Sequence, residues 1–408
     1  MLFFIGYTRS NIIDKGDLML EKFQVRNYKN FKETLTVDFA NVGGYQFSTD
    51  CLYRNYISKM LLFGRNATGK TNLSKAIMDI RRIIFPYRTY LSDSLLTNAD
   101  SKEPEATFEY YFDFDGEKLA FFYQRNSNGE LTCEELVVNG QGVYRFSYPD
   151  SDFEYIDPVF FSKYEINRDR YLETLRIDDS DDSDNAEEQS IPFIRWLMNN
   201  ADTEINMLLR QFRSFCRSME MLSVNQMRMY YIAGPRMTYT LFLRNLAKNN
   251  KTEELEAFLN YMGVECQLVI KELPNDEYEL YFRHDILIPF FQTASSGTIA
   301  LVELYRRYFA GYIKAPSFLI LDEFDAYYHY EMAENLINFV KANYPQTQIL
   351  MTTHNTNLMT NRLFRPDTLF ILSRTGKFTA LCDATTRELR EGHNLEKMYI
   401  SGEFSDFE

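Results

Sequence analysis

Two kinds of apolar pattern run along this chain. Lys59-Met60-Leu61-Leu62-Phe63, Pro316-Ser317-Phe318-Leu319-Ile320-Leu321 and Gln348-Ile349-Leu350-Met351 carry near-continuous apolar runs and predict buried strands. Elsewhere apolar and polar positions alternate. From Met19 to Phe39 the pattern predicts a strand, a turn at Asn27-Tyr28-Lys29-Asn30, and a second strand in which Leu35, Val37 and Phe39 alternate with Thr36 and Asp38. Thr107 to Tyr123 predicts a hairpin around Asp115-Gly116, and Glu134 to Val138 a further strand ending at Asn139-Gly140. Helical spacing appears at Leu73, Ile77, Ile80 and Ile84 before Pro86, at Leu301, Leu304, Tyr305 and Tyr308, and at Met332, Leu336, Phe339 and Val340. Residues from Ile191 to about Leu259 read as helical, without a sustained heptad run or an internal repeat.

Candidate chemistry sits where these elements meet. Gly64-Arg65-Asn66-Ala67-Thr68-Gly69-Lys70-Thr71 follows a predicted strand and opens a predicted helix, the setting of a phosphate-binding loop. There, backbone N–H groups and the helix dipole favour a triphosphate. Gly64 and Gly69 permit backbone angles a side chain would forbid, Lys70 supplies a point charge, and Thr71 offers a hydroxyl to magnesium. The strand ending Leu321-Asp322-Glu323 puts Asp322 where it can hold the magnesium shell and Glu323 where it can orient or deprotonate water. Thr293-Ala294-Ser295-Ser296-Gly297-Thr298 before a helix is a ready anion site, or an ordinary N-cap. Of the histidines His284, His329, His354 and His393, only His354 ends a buried strand, after Thr352-Thr353. It reads as a γ-phosphate contact, against the plainer reading of a hydrogen-bonded core histidine.

Composition narrows the classes. With 408 residues, about two or three lobes are expected. The net charge of −14 argues against broad nonspecific binding to nucleic acid or anionic membrane. The five cysteines, Cys51, Cys133, Cys216, Cys266 and Cys382, form no C-x-x-C pair, so neither a zinc site nor a disulfide framework is expected, and reduced cytoplasmic thiols are the default. No apolar run is long enough to span a bilayer. Asp178 to Glu188 is too densely acidic to pack and predicts a loop rather than a metal cage. The start Met1-Leu2-Phe3-Phe4-Ile5-Gly6-Tyr7 reads as a poor signal peptide; strand alternation from Met19 leads to the expectation that Met19 is the native start and that residues 1–18 are a dispensable extension.

The ordered motifs resemble the ABC-type ATPase heads shared by SMC, RecF and OLD proteins. More narrowly, they resemble the RloA-like AAA-family ATPases of bacterial phage-defence and abortive-infection loci. Carrying the resemblance are the loop from Gly64 through Asn72, Ser295-Ser296-Gly297-Thr298, Leu321-Asp322-Glu323-Phe324-Asp325, Thr352-Thr353-His354-Asn355-Thr356-Asn357-Leu358, and the tail from Asn394 to Phe404. It implies an α/β P-loop head with a mixed sheet, an antiparallel β subdomain and an inserted helical subdomain. It also implies two ATP molecules, with Mg2+, sandwiched in a homodimer. By carry-over, Ser295, Ser296 and Gly297 would be the signature touching the other subunit's γ-phosphate. Asp325 would communicate across the interface, and His354 would be the switch histidine. The signature departs from Leu-Ser-Gly-Gly, with Ala294 for Leu and Ser296 for the first Gly. A glutamine loop is also implied, and Gln124 is its candidate.

The expected organisation is an N-terminal ATPase lobe over 19–150, an acidic loop and helical insertion over 151–275, and a C-terminal lobe over 276–408. Too little chain follows His354 for a Toprim nuclease domain, and neither H-E-x-x-H nor a nucleophile elbow occurs. A nuclease or toxin effector is therefore expected on a separate chain. The expected function is an ATP-hydrolysing sensor or gate in phage defence; the alternative is a RecF- or SMC-like repair ATPase acting on DNA. Two smaller features stay open. Arg26, Lys29 and Lys32 beside Tyr28 and Phe31 form either a solvated hairpin tip or a contact to base or DNA backbone. Arg210, Arg213, Arg217 and Arg228 either meet a partner or solubilise a helix, while Met207, Met219, Met221, Met227 and Met229 read as core or adaptable interface.

Overall fold

The computed structural model describes residues 18–86, 95–178, 191–200, 205–223, 228–231, 238–311 and 315–407. Residues 1–17 and most of the acidic stretch, 179–188, lie outside that set, as does Met227.

Two seven-stranded sheets dominate. The first is antiparallel, ordered Asp152–Ile156, Gln141–Ser147, Leu131–Val138, Glu117–Asn126, Glu105–Phe114, Leu18–Arg26, Leu35–Asp38. Its strands bury alternate residues: in Glu105–Phe114, Ala106, Phe108, Tyr110, Phe112 and Phe114 all face inward. The second sheet is mixed, ordered Arg228–Tyr231, Met219–Ser223, Phe318–Asp322, Gln348–Thr353, Lys59–Phe63, Leu369–Leu372, Phe378–Ala380, with its inner neighbours parallel. Here every residue of the P-loop strand Lys59–Phe63, the carboxylate strand Phe318–Asp322 and the histidine strand Gln348–Thr353 is buried.

Their continuous apolar runs follow from having two covered faces. Met60, Leu62, Ile320, Leu350 and Met221 join the core shared with the antiparallel sheet. Leu61, Phe63, Leu319, Leu321, Ile349 and Met351 join a second core against the helices Ser296–Leu304 and Tyr330–Asn343. Between the sheets lie the P-loop helix Lys70–Met78, its continuation Ile80–Ile84, and the helix Ile205–Arg217. Tyr110 of the antiparallel sheet donates to the Ala76 carbonyl at 2.7 Å, and Phe112 packs 5.2 Å from Phe212. Buried Asp79, just past the P-loop helix, accepts from Arg125 at 2.6 Å and Tyr123 at 3.0 Å.

The stretch expected to be helical from Ile191 to Leu259 contains a core strand. Met219–Ser223 pairs in parallel with the carboxylate strand and is buried throughout. Methionine and leucine serve helix and strand alike, and tertiary packing decides between them. Arg81 fixes the strand's start by donating to the carbonyls of Cys216 and Met219 at 2.8 and 2.7 Å. Met219 and Met221 are thus core, whereas Met207 is 69% exposed. Pairing also crosses the expected lobe limits. Asp152–Ile156 belongs to the antiparallel sheet, and a three-stranded sheet of Leu268–Leu273, Glu277–Arg283 and Leu287–Pro289 straddles residues 275 and 276.

One core group titrates against its surroundings. Glu134 is fully buried and accepts from the Ile194 N–H at 2.8 Å through Oε1, while Oε2 has no hydrogen-bond partner among the described residues. Burial pushes its carboxyl from the ordinary 4.5 to about 7. Between these values the folded protein keeps a proton that the unfolded chain has released, so stability falls as pH rises from about 4.5 to about 7. The Gln variant keeps an acceptor for Ile194 and removes the titration. Melting followed by the fluorescence of Trp196 should show E134Q gaining on wild type by a few degrees between about pH 5 and about pH 8. A constant difference across that range would contradict the assignment.

Candidate functional site

The P-loop strand runs into a loop whose geometry only its own residues allow. Gly69, with φ of 103°, caps the helix Lys70–Met78 in the left-handed region, and a Cβ there would overlap the Asn30 amide. A Cβ at Gly64 would come 2.7 Å from Thr68 Oγ1 and 2.9 Å from the Leu372 carbonyl oxygen. Ala67 also has positive φ, at 64°. Arg65, Asn66 and Ala67 are exposed at the loop's rim. This strained arch turns toward the helix N-terminus, where anions are favoured.

Lys70 folds over the loop. It donates to the Gly64 carbonyl at 2.7 Å and lies 3.1 Å from His354 Nε2. Burial lowers its ammonium to about 8, against the pull of nearby Glu323 and Asp322. Burial and the Lys70 charge likewise hold His354 below its ordinary value, so a neutral ring faces the lysine. His354 Nε2 is 3.8 Å from Glu323 Oε1. Loop lysine, strand-end acid and late histidine, widely separated in sequence, therefore meet.

Strand order explains the meeting. The histidine strand lies between the P-loop strand and the carboxylate strand. Its end, Thr352-Thr353-His354, can reach both neighbours. Thr71 donates to Asp322 Oδ2 at 2.8 Å, and Thr352 donates to Asp322 Oδ1 at 2.8 Å. Thr353 donates to Asp325 Oδ2 at 2.7 Å, while its oxygen accepts from the Asn355 N–H at 2.9 Å. Burial raises both Asp322 and Asp325, opposed by these hydroxyl donors.

The donor set suits magnesium. Thr71 and Asp322 offer hard oxygens from two elements, and among the described residues no group of three or more His, Cys, Asp or Glu gathers to hold a metal without help. An ion held here would complete its shell with phosphate oxygens and water, the habit of Mg2+.

The signature segment stands apart. Ser295 is the N-cap of Ser296–Leu304, accepting from the Thr298 N–H at 3.1 Å. Gly297 is buried against the loop after the carboxylates: a Cβ would come 2.8 Å from the Tyr327 carbonyl oxygen. Gly297 thus adjoins the loop after the carboxylates, at Tyr327, within one subunit. Gln124 is not at the site. It sits in the antiparallel sheet opposite Thr107, to which it donates at 3.4 Å, beside a bulge in the pairing with Leu131–Val138.

The basic–aromatic turn is a solvated tip only at its charges: Arg26 and Lys32 are exposed. Asn27, Tyr28 and Phe31 are buried, and Arg26 pairs with Glu103. Asn30 reaches from this turn to the P-loop, donating to the Thr68 carbonyl at 2.8 Å and accepting from Asn72 at 2.9 Å. Sequence reasoning passed over Asn30 as well as Thr352 and Thr353. The threonine pair was visible beside His354, but its partners depend on strand order; for Asn30 no local signal existed.

A family model described as "AAA domain, putative AbiEii toxin, Type IV TA system" matches residues 59–360. The chain belongs to this family. It is a P-loop ATPase of the AAA class, with the mixed α/β head the strand order shows. Solved structures that resemble it include an SMC head bound to the C-terminal winged-helix domain of ScpA, at 15% identity and TM-score 0.45 over 88% of this chain and 96% of that one. The SMC head domain from Thermotoga maritima is 17% identical, at TM-score 0.43 over 88% and 98%. An SMC head with an extended coiled coil, bound to the C-terminal domain of ScpA derived from Pyrococcus furiosus, is 14% identical, at TM-score 0.45 over 89% and 96%. No curated protein matches the chain. Among the described residues, no helix is long and apolar enough to cross a membrane.

Asn30→Ala leaves the Thr68 carbonyl without its donor, a loss of about 1–3 kcal/mol of local support. Titration with a fluorescent ATP analogue should show roughly ten-fold weaker binding in that variant, the equivalent of about 1.4 kcal/mol. Gly69→Ala, strained in φ and blocked by Asn30, should bind none; wild-type affinity in either would refute this picture of the loop.

Proposed function

We propose that this ATPase binds Mg-ATP between two copies of itself, hydrolyses it with Glu323, and uses the cycle to hold or release a separate effector in bacterial phage defence. One observation carries the reading: Lys70, the Thr71–Asp322 pair, Glu323 and His354 converge on one helix N-terminus. Loop N–H groups and Lys70 would take the outer phosphates. Thr71 and Asp322 would hold Mg2+, which when bound offsets charge on the phosphate oxygens. Glu323 would orient and deprotonate the attacking water, and His354 would meet the γ-phosphate from its other side.

Supporting the dimer are the positions of Ser295 and Gly297. Gly297 packs against the Tyr327 carbonyl and Ser295 caps its own helix through Thr298, so on this reading the segment is left to complete a partner's site. The defence role draws on the family description, which couples this AAA domain to a toxin–antitoxin system. The effector is proposed as a nuclease or toxin on a separate chain. A DNA-repair role would need a cationic surface, and the net charge of −14 opposes it.

Glu323→Gln should lower turnover by roughly 10²–10⁴-fold while keeping ATP affinity. In light scattering coupled to size exclusion, E323Q with Mg-ATP should run as a dimer, and the Lys70→Ala variant as a monomer. Unchanged turnover in E323Q would remove Glu323 from the chemistry. A monomer at saturating ATP would remove the sandwich.

A further inference from the structure

Directly after the apolar run Ile349-Leu350-Met351 of its strand, Thr352 buries a hydroxyl completely. A valine would suit a buried strand better, since an unpaired buried hydroxyl is costly. This hydroxyl is fully used. It donates to Asp322 Oδ1 at 2.8 Å and accepts the Glu323 N–H at 2.8 Å, while the Thr352 carbonyl accepts the Phe324 N–H at 3.3 Å. One residue thus clasps three successive residues of the neighbouring strand's end.

The clasp falls where the backbone is strained. Glu323 has φ of 50°, in the left-handed region that costs a non-glycine residue free energy and persists only where surroundings enforce it. Its N–H is tied to Thr352, so the left-handed turn and the Asp322 carboxylate are fixed by the same oxygen. Asp322 is in turn tied to Thr71, in the first turn of the P-loop helix. The chain Thr71–Asp322–Thr352–Glu323 runs from the phosphate-binding helix to the acid proposed to handle water.

The geometry points to Thr352 as the positioning residue for hydrolysis: its hydroxyl, not its bulk, sets where Glu323 stands relative to the P-loop. Thr352 touches neither nucleotide nor water in this assignment. It acts through Asp322 and the Glu323 backbone, and the proposal rests on the reading of Glu323 given above. A shift of the acid by about 1 Å would cost turnover on the order of 100-fold without touching the phosphate contacts made by Lys70 and the loop.

Thr352→Val, Thr352→Ser and Glu323→Gln are to be compared in the full chain. The readouts are steady-state kinetics, affinity for a fluorescent ATP analogue, and hydrogen exchange of the segment 321–326. Thr352→Val should lower kcat by roughly 10–100-fold, keep ATP affinity within about three-fold, and speed amide exchange at Glu323 and Phe324. Thr352→Ser, which restores the hydroxyl but not the methyl, should recover both kcat and protection. Near-wild-type kcat in Thr352→Val with an inactive Glu323→Gln would overturn the role of Thr352 and leave that of Glu323 standing. Wild-type turnover in Glu323→Gln would overturn the underlying reading instead. Failure of Thr352→Ser to recover, or loss of ATP binding with exchange raised throughout the chain, would mark Thr352 as merely structural and overturn the proposal.

Discussion

A buried carboxylate held between two hydroxyls is the constraint on which the arrangement depends. Asp322 ends a strand with both faces covered, and burial alone favours its neutral form. Thr71 and Thr352 oppose that by donating to its two oxygens. One hydroxyl belongs to the P-loop helix and the other to the histidine strand. Meeting the needs of this single side chain therefore fixes three elements relative to one another. An isolated pair at 2.8 Å would be worth little. A pair that leaves a buried anion unsatisfied when broken is worth more, because desolvation is then uncompensated.

Strand order makes this possible. Because the histidine strand is sandwiched between the P-loop strand and the carboxylate strand, its terminal residues serve both sides. His354 turns toward Lys70, while Thr352 and Thr353 turn toward Asp322 and Asp325. A sheet in sequence order would put Met219–Ser223 and Arg228–Tyr231 between the P-loop strand and the carboxylate strand, with the histidine strand farther off still. The crossover that separates them in order is what brings a histidine late in the chain to a lysine early in it.

How far this could be read from the sequence differs by element. The glycine loop, its strand and its helix were legible because backbone sterics act locally, and Gly64, Gly69 and Lys70 carry their reasons with them. The acids of Leu321-Asp322-Glu323 were legible for the same cause. Met219–Ser223 was not: Met-Glu-Met-Leu-Ser directly after a helix has no local mark of strand, and only the parallel pairing with Phe318–Asp322 makes it one. Gln124 looked free to enter a site, yet its neighbours Tyr123 and Arg125 point into the core and toward Asp79, which leaves it on the sheet's other face opposite Thr107. Asn30 lay in plain view inside a turn. Its partner, the Thr68 carbonyl, lies 38 residues on, in the loop that follows a strand of the other sheet. Contacts of that separation are set by topology, on which neither periodicity nor propensity reports.

The site also lies on a seam. The P-loop helix is bound to the antiparallel sheet near both ends: at the start by Asn30, and at the finish by Tyr110 on Ala76 and by Arg125 and Tyr123 on Asp79. The acids belong to the other sheet. At the far end of the histidine strand, Gln348 joins the sheets by accepting from the Leu20 N–H at 2.7 Å and donating to the Leu20 carbonyl at 2.9 Å. At the nucleotide end, Thr71 to Asp322 makes the corresponding polar tie. A ligand that takes up the Thr71 hydroxyl and the Asp322 carboxylate together replaces that tie with its own bonds. The same binding event then bears on how the two layers sit, and a two-state response needs only that the ligand favour one setting over the other. On the proposed reading, a Mg2+ ion held by Thr71 and Asp322 would compete with the inter-sheet tie for the same oxygens, and that competition would couple nucleotide to shape.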